Sequence, residues 1–342
     1  MNLRSNLIFI AFSLVCASLT AQTQFHDPEL ILNKQGTFKV IVWDGYNYTY
    51  CGFKKTETDN YYKRLVSITE AVRKDPVMQD TKGFNGQVRF YPDKCDVLNG
   101  YGIPSFVNFE FCPWFTYKGK EYADCIEPPH WDIEVNILRS VCVGAYDYTA
   151  FDPVAWIRDG FNFKMWKSAA EKTNELFFSP IDKKTLAPGV DLYNESNIII
   201  YNPDRPPHWI PVTIREAFKL LYDYWKLRPD LLPDDPLVQE LDKEYAVFTE
   251  KEKDGYAYAG GEFLSRISSN DKFSMMMRVN PAYWNRNLPR SAIQFMSFYC
   301  PADKEYVKSQ AERWLKCNSS GYNVDHFVAT FDWNLLVPII EK

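Results

Sequence analysis

One short segment combines side chains that commonly hold anionic or sugar ligands. The run Asp204-Arg205-Pro206-Pro207-His208-Trp209 follows an apolar strand and precedes a helix, and adjacent prolines restrict its backbone. Arg205 can fork onto a carboxylate or phosphate, while His208 and Trp209 can bond to or stack on a sugar or an aliphatic chain. The alternative is structural: Arg205 pairs with Asp204 or another acid, and the prolines only shape the turn.

A second segment of the same character covers residues 283–290. It carries two arginines, two asparagines and two aromatic residues, and its candidate ligand contacts are Trp284, Arg286 and Arg290. Both segments follow an Asn-Pro turn at the end of an apolar strand, and such turns also arise for purely local reasons. If the two turns lie side by side, the segments converge on one cleft that suits a glycan or an anionic small molecule.

The chain lacks the standard catalytic signatures HExxH, GxSxG, P-loop and GxGxxG. Its four histidines include no pair at i, i+4, so we predict neither a metal site nor a cofactor, and no catalytic residue is assigned. Glu216 and Glu262 are a pair that would suit a glycosidase if their carboxylates lay about 5–10 Å apart. With 44 acidic residues in the chain, however, any such pair is easily nominated.

The cysteine spacing predicts one disulfide. Residues 112–125 contain two short aromatic segments around Lys118-Gly119, which is typical of a two-residue β-hairpin. That turn places Cys112 opposite Cys125, at the separation of about 4.5–5.5 Å that facing strand residues adopt. Such a distance suits a disulfide.

The remaining cysteines give an odd count. Eight cysteines less Cys16, which lies in the leader described below, leave seven, so at least one stays free or pairs between chains. Cys300 and Cys317 should not pair, because the helix predicted between them holds them on the order of 20–25 Å apart.

Hydrophobic periodicity predicts an α+β fold. We expect a mixed, mainly antiparallel sheet with helices packed on one side, arranged as one lobe or two. The clearest strand is 131–138, where apolar residues alternate with Asp132, Glu134 and Asn136 as in an antiparallel sheet with one wet face. Other strands are predicted near 38–43, 87–91, 105–111, 197–201, 273–279 and 291–298. Helices are predicted at 59–74, after the Thr213–Glu216 capping box, after Pro236, between Cys300 and Cys317, and at 326–336, with Asp325 as cap.

Residues 179–196 have a composition typical of a loop, and they are the predicted boundary between two lobes. This composition predicts an N-terminal α+β lobe over 22–178 with most of the cysteines, a linker-like loop over 179–196, and a C-terminal α+β lobe over 197–342.

The first 21 residues have the layout of a secretory signal peptide. A basic start at Arg4 precedes an apolar run, Leu7–Val15, and small residues lead to a cleavage site after Ala21. The run is shorter than the roughly 20 residues that span a bilayer. A lipid anchor on Cys16 is the alternative, although Val15 before it matches such a site poorly. We expect a secreted or periplasmic protein without a transmembrane segment.

The composition argues against one class of function, nucleic-acid binding, and does not identify a particular activity. The formal net charge is −5 and no basic cluster stands out, which argues against nucleic-acid binding. Aromatic residues make up 16% of the chain, in keeping with a core of large rings or with a platform for sugars. We expect a non-catalytic ligand- or partner-binding protein of the cell envelope or exterior. The alternative is a secreted hydrolase that acts on glycans or peptides through acid–base carboxylates.

Overall fold

A computed structural model of the protein describes residues 29–41, 52–92, 101–138, 177–178, 183–225, 236–260 and 266–342. Over these residues the fold is α+β, as predicted, with a large, mainly antiparallel sheet, a smaller sheet and several helices. The predicted signal peptide, four of the cysteines (Cys16, Cys51, Cys95 and Cys142) and Glu262 lie outside the described residues.

The large sheet has ten strands and carries most of the core. Its main order is β2-β3-β4-β6-β15-β10-β9-β8, with β1 and β5 also paired to β4, and β2 with β3 is the parallel pair. The strands are β1 Glu29–Leu30, β2 Phe38–Ile41, β3 Phe84–Pro92, β4 Ser105–Tyr117, β5 Lys120–Ala123, β6 His130–Val135, β8 Lys183–Ala187, β9 Val190–Tyr193, β10 Asn197–Tyr201 and β15 Phe295–Tyr299.

The smaller sheet has five strands, in the order β11-β14-β12-β13 with β7 also paired to β14. These are β7 Phe177–Phe178, β11 Trp209–Pro211, β12 Tyr258–Gly260, β13 Arg266–Ser268 and β14 Ser274–Val279. A separate apolar cluster joins this sheet to helix residues such as Phe218 and Leu241.

Seven α-helices lie in the described part of the chain. They are α1 Lys55–Val72, α2 Pro76–Gln79, α3 Ile214–Trp225, α4 Pro236–Ala246, α5 Glu250–Lys253, α6 Lys304–Lys316 and α7 Tyr322–Thr330, followed by short 3₁₀ turns at Trp333–Leu335 and Val337–Ile339. Helix α1 begins earlier than predicted because the Glu57 carboxylate accepts a hydrogen bond from the Lys54 amide at 2.7 Å, which caps the first turn. The Thr213 capping box forms as predicted, with the Thr213 amide 2.9 Å from the Glu216 carboxylate.

The last helix lies earlier than the sequence predicted. Helix α7 ends at Thr330, and Asp325 lies inside it rather than capping it. The Asp325 carboxylate instead accepts a hydrogen bond from Trp314 Nε1 on α6 at 2.8 Å. A contact between two helices, which periodicity cannot show, therefore decides the position of this aspartate.

Helices α1, α6 and α7 pack on one face of the large sheet. Tyr61 and Leu65 of α1 and Phe327 of α7 are buried in one cluster with the apolar residues of β3, β4, β6 and β15. Trp131 of β6 lies at its centre, with its ring 5.1 Å from that of Phe327. The predicted alternation is confirmed as far as Val135, where β6 ends, with Trp131, Ile133 and Val135 buried beneath the helices. Asn136, predicted on the wet face, is instead fully buried, and its side chain donates to the carbonyls of Ile103 and Ala292 at 3.1 and 3.0 Å.

The stretch predicted to be a linker-like loop differs from that expectation. Residues 183–187 and 190–193 form β8 and β9 at one end of the large sheet, where β9 pairs with both β8 and β10. Gly189, with a φ of +79°, makes the turn between them, and it lies so close to the carbonyl of Tyr201 that a larger residue would clash. Because β6 pairs with β15, strands from both sides of the expected linker belong to one sheet.

The predicted hairpin and disulfide are confirmed. Tyr117 pairs with Lys120, and Lys118 and Gly119 both have positive φ, at 50° and 71°, as a two-residue turn of this hand requires. Cys112 and Cys125 form a disulfide, with Cα atoms 4.8 Å apart. Cys300 and Cys317, which we predicted would not pair with each other, are free thiols.

Removing the disulfide should destabilise the protein measurably. The bridge closes a loop of 13 residues, so the double variant Cys112→Ala/Cys125→Ala should lose about 3 kcal/mol of unfolding free energy through the greater entropy of its unfolded chain. Urea unfolding at neutral pH measures the loss, and Cys317→Ala, which removes an exposed free thiol, is the control. Equal stability of the double variant and the wild type would show that the bridge contributes little.

Candidate functional site

The two Asn-Pro turns lie side by side, as the sequence hypothesis required. Strand β11 pairs with β14, and Asn280 at the end of β14 donates from its amide to the His208 carbonyl at 2.9 Å. The Asn280 side chain also donates to the Pro207 carbonyl at 2.7 Å. The two polar segments therefore meet, and only those of their side chains that face solvent are available to a ligand.

Arg205 uses its guanidinium to hold the neighbouring turn. Its Nε donates to the Tyr283 carbonyl at 2.8 Å, and its Nη2 donates to the carbonyls of Ala282 and Trp284 at 3.0 Å each. Three carbonyls of a tight turn are thus satisfied by one planar cation. This geometry favours the structural interpretation of Arg205, with backbone carbonyls in place of the acids considered earlier.

His208, Trp209 and Trp284 are buried, with 5%, 4% and 2% of their surfaces exposed. The His208 ring lies 4.8 Å from Trp209 and 5.4 Å from Phe295, and Trp209 Nε1 donates to the Leu138 carbonyl at 2.8 Å. Burial in this aromatic cluster lowers the pKa of His208 to about 4. These rings pack the smaller sheet against β9, β10 and β15 of the large one, and they do not present a surface to a ligand.

The other two predicted contacts are separate from this cluster. Arg286 is exposed, with its guanidinium 5.7 Å from the centre of the Tyr101 ring. Arg290 lies 3.8 Å from the centre of the Phe53 ring, and its Nε is 3.4 Å from the Tyr101 carbonyl. Of the six predicted ligand contacts, Arg286 is thus the one with an exposed side chain.

A polar face that sequence reasoning did not select lies on the large sheet, opposite the helices. Because side chains alternate along a strand, the residues between the core positions of β3, β4, β6 and β15 all point to this side. They include Tyr91, Asn108, Glu110, Asp132, Glu134 and Ser297. The alternation of β6 was the signal that could have found it, since it had already placed Asp132 and Glu134 on the wet side.

Hydrogen bonds across the strands fix the carboxylates of this face. Asn108 Nδ2 donates to Asp132 Oδ1 at 2.7 Å, and the Ser297 hydroxyl donates to Glu134 Oε2 at 3.3 Å. His130 Nε2 lies 3.6 Å from Asp132 Oδ2. Both acids lie on β6, and side chains of the two neighbouring strands, Asn108 on β4 and Ser297 on β15, hold them in place.

Two adjoining clefts open on this face. The first, which we call the Ser297 cleft, encloses about 340 Å³ where β6 and β10 begin and β15 ends. Its lining includes His130, Glu134, Asn197 and Ser297 from the polar face, and Trp131, Phe298 and Val324 of α7 from the helix-covered side. The second, the Tyr91 cleft, encloses about 530 Å³ and is lined by Tyr91, Phe106, Glu110, Glu127, His130 and Asp132 among others. The two clefts share His130 and Asp132 in their linings, so they lie next to each other, and we call the pair the groove.

Two aspartates of the described residues, both away from the groove, have a pKa that burial raises. Burial raises the pKa of Asp75, which caps helix α2 by accepting a hydrogen bond from the Val77 amide at 2.9 Å. Burial likewise raises the pKa of Asp325, which holds Trp314 as described. Within the described residues, no three His, Cys, Asp or Glu side chains are grouped closely enough to hold a metal ion.

Comparisons of the chain with protein-family models, with curated protein sequences and with solved structures each found no match. In the described part of the chain, no helix combines the length and apolar character needed to cross a bilayer.

Arginine variants distinguish the structural role of Arg205 from ligand contact. Arg205→Ala leaves three carbonyls of the 282–284 turn without their donor, so we expect a loss of roughly 2–3 kcal/mol in unfolding free energy. Arg286→Ala removes an exposed arginine and should change stability by less than about 0.5 kcal/mol. Denaturant unfolding of both variants measures this, and similar stabilities would contradict the assignment.

His208 should make stability fall in mild acid. The unfolded chain takes up a proton at this residue near the ordinary pKa of 6.5, whereas the native state stays neutral until about pH 4. Protonation therefore favours the unfolded chain as pH falls through this window, by roughly 2 kcal/mol between about pH 7 and pH 5. Urea unfolding at both pH values should show this dependence reduced in His208→Phe.

The matched control for that measurement is His130→Gln. His130 has half of its side chain exposed, so its replacement should leave the acid sensitivity in place. A His208→Phe protein that loses stability between the two pH values as steeply as the wild type would exclude His208 as the cause.

Proposed function

We propose that this protein is an exported, non-catalytic binding protein of the cell envelope or exterior, and that it holds a glycan on the polar face of its large sheet. The observation that carries the proposal is the pair of adjoining clefts, the Ser297 cleft and the Tyr91 cleft, which share His130 and Asp132. It combines carboxylates, an amide, a hydroxyl and aromatic rings on a rigid sheet, and such mixtures suit a ligand that has both hydroxyl groups and apolar ring faces.

The groups in the Ser297 cleft match the hydroxyl groups of a sugar. Glu134 is acceptor-only when ionised, and each sugar hydroxyl that donates to it would form a charge-assisted bond. The Asn197 amide and the Ser297 hydroxyl can both donate and accept. Tyr299, with 45% of its surface exposed, supplies a ring at the edge of the same cleft.

An anionic ligand at the arginine segments has less support. Arg205 already bonds to three carbonyls, and Arg290 lies over the Phe53 ring. Arg286 is exposed but lies beside the Tyr101 ring, and Arg290 Nε is 3.4 Å from the carbonyl of the same residue. The acidic groove, by contrast, favours ligands that donate hydrogen bonds.

The hydrolase alternative has less support as well. A glycosidase needs one carboxyl that stays protonated until it gives its proton to the leaving group, which burial commonly achieves. The two aspartates whose pKa burial raises, Asp75 and Asp325, lie on the helical side and serve a helix cap and a helix–helix contact. A binding function therefore accounts for the groove more simply.

Export rests on the amino-terminal leader and gains support from the disulfide. The bridge between Cys112 and Cys125 is stable in an oxidising compartment and uncommon in the cytosol. A secreted or periplasmic location would bring the groove into contact with envelope and extracellular glycans.

A glycan array followed by calorimetry tests the proposal. The protein from residue 22 onward should bind at least one glycan on the array, and Glu134→Gln should weaken that binding about tenfold, or about 1.4 kcal/mol, because a neutral amide replaces a charged acceptor. Glu312→Gln, which makes the same change at an exposed position on α6, should leave the dissociation constant unchanged.

Two results would reject the proposal. One is an array without a binder. The other is an affinity that is the same in Glu134→Gln and the wild type, since the groove would then take no part in holding the glycan.

A further inference from the structure

We propose that the ligand carries a protonated amine, and that this amine sits in the Tyr91 cleft between the carboxylates of Glu110, Glu127 and Asp132 and the rings of Tyr91 and Phe106. The inference rests on the proposed function and deepens it, since it names glycans with free amino groups as the preferred class.

Glu110 is the first reason. Only 7% of this residue is exposed, and strand alternation directs its side chain to the polar face, where it lines the cleft. Its Oε1 lies 2.8 Å from Arg89 Nε without hydrogen-bond geometry, and its buried Oε2 has no hydrogen-bond partner within the described part of the chain. Buried carboxylate oxygens in proteins normally accept a hydrogen bond, so a ligand that donates one should bind here. An ammonium group has three N–H donors.

The charge balance of the cleft is the second reason. Glu110, Glu127 and Asp132 are acidic, and none of the lining residues is a lysine or an arginine. Arg89 lies beside the cleft, pairs with Glu110 and partly offsets the negative charge that Tyr91 experiences. Burial, followed by the negative charge of Glu110, raises the pKa of the Tyr91 hydroxyl, which agrees with a negative potential at this point.

The aromatic rings are the third reason. Tyr91 and Phe106 lie opposite each other on β3 and β4, and both line the cleft. A cation over an aromatic face is attracted by the negative face of the ring, and this attraction grows as water is excluded. Rings and carboxylates together therefore favour an ammonium over a neutral hydroxyl or acetamide group.

A matched pair of sugars tests the inference. Oligomers of glucosamine and of N-acetylglucosamine share one backbone, but only the first carries free amines, which are charged in slightly acidic buffer. Calorimetry should show the glucosamine oligomer binding at least about tenfold more tightly. Equal affinities, or tighter binding of the acetylated oligomer, would overturn the amine inference while leaving glycan binding intact, and no binding of either would overturn the inference as well.

Two variants locate the preference within the groove. Glu127→Gln keeps the length of an exposed side chain that lines only the Tyr91 cleft, so it should reduce the preference for the amine at least about threefold and leave acetylated-sugar binding unchanged. Glu134→Gln, in the other cleft, should weaken both sugars alike. A preference that persists unchanged in Glu127→Gln would place the amine outside the Tyr91 cleft and reject the assignment.

Discussion

The pleat of strands β4 and β6 is the constraint on which the rest of the structure depends. Strand β4 runs from Ser105 to Tyr117 and pairs with β1, β3, β5 and β6, so it is the spine of the large sheet. Because side chains alternate along it, Phe109 enters the helix-covered core while Asn108 and Glu110 reach the opposite face. One strand thus fixes the core and the groove together, and a slip of one residue would exchange them.

The second constraint is the satisfaction of polar groups where the two sheets meet. A turn packed among large rings leaves carbonyls that water cannot reach easily, and Arg205 satisfies three of them. The Asn280 side chain likewise donates a hydrogen bond to the Pro207 carbonyl of the neighbouring loop. His208 fills the space between these turns as a neutral ring, because burial holds its pKa far below the ordinary range. Residues that look like ligand contacts therefore hold the scaffold.

Much of the fold could be predicted because its signals are local. The alternation of β6, the Thr213 capping box and the hairpin around Lys118-Gly119 each depend on neighbours a few residues apart, and each was confirmed. Predictions failed where distant partners decide the outcome. Arg205, for example, was expected to meet a ligand or an acid, yet it donates to carbonyls of residues 282–284. Residues 183–193 were missed for another reason: their partners in β9 and β10 are close in the chain, but a polar composition with Pro188-Gly189 is typical of a loop.

The fold class, the register that joins Cys112 to Cys125 and the two-sided character of β6 all follow from local sequence patterns. Which polar residues meet solvent depends on how the elements pack together. Arginine and histidine side chains can bind a ligand or satisfy a buried backbone with the same atoms, and the neighbours that settle the choice lie some 70 to 80 residues away in the chain, as Arg205 and the carbonyls of 282–284 do. The groove likewise exists only because β3, β4, β6 and β15 are brought side by side, which no local pattern specifies.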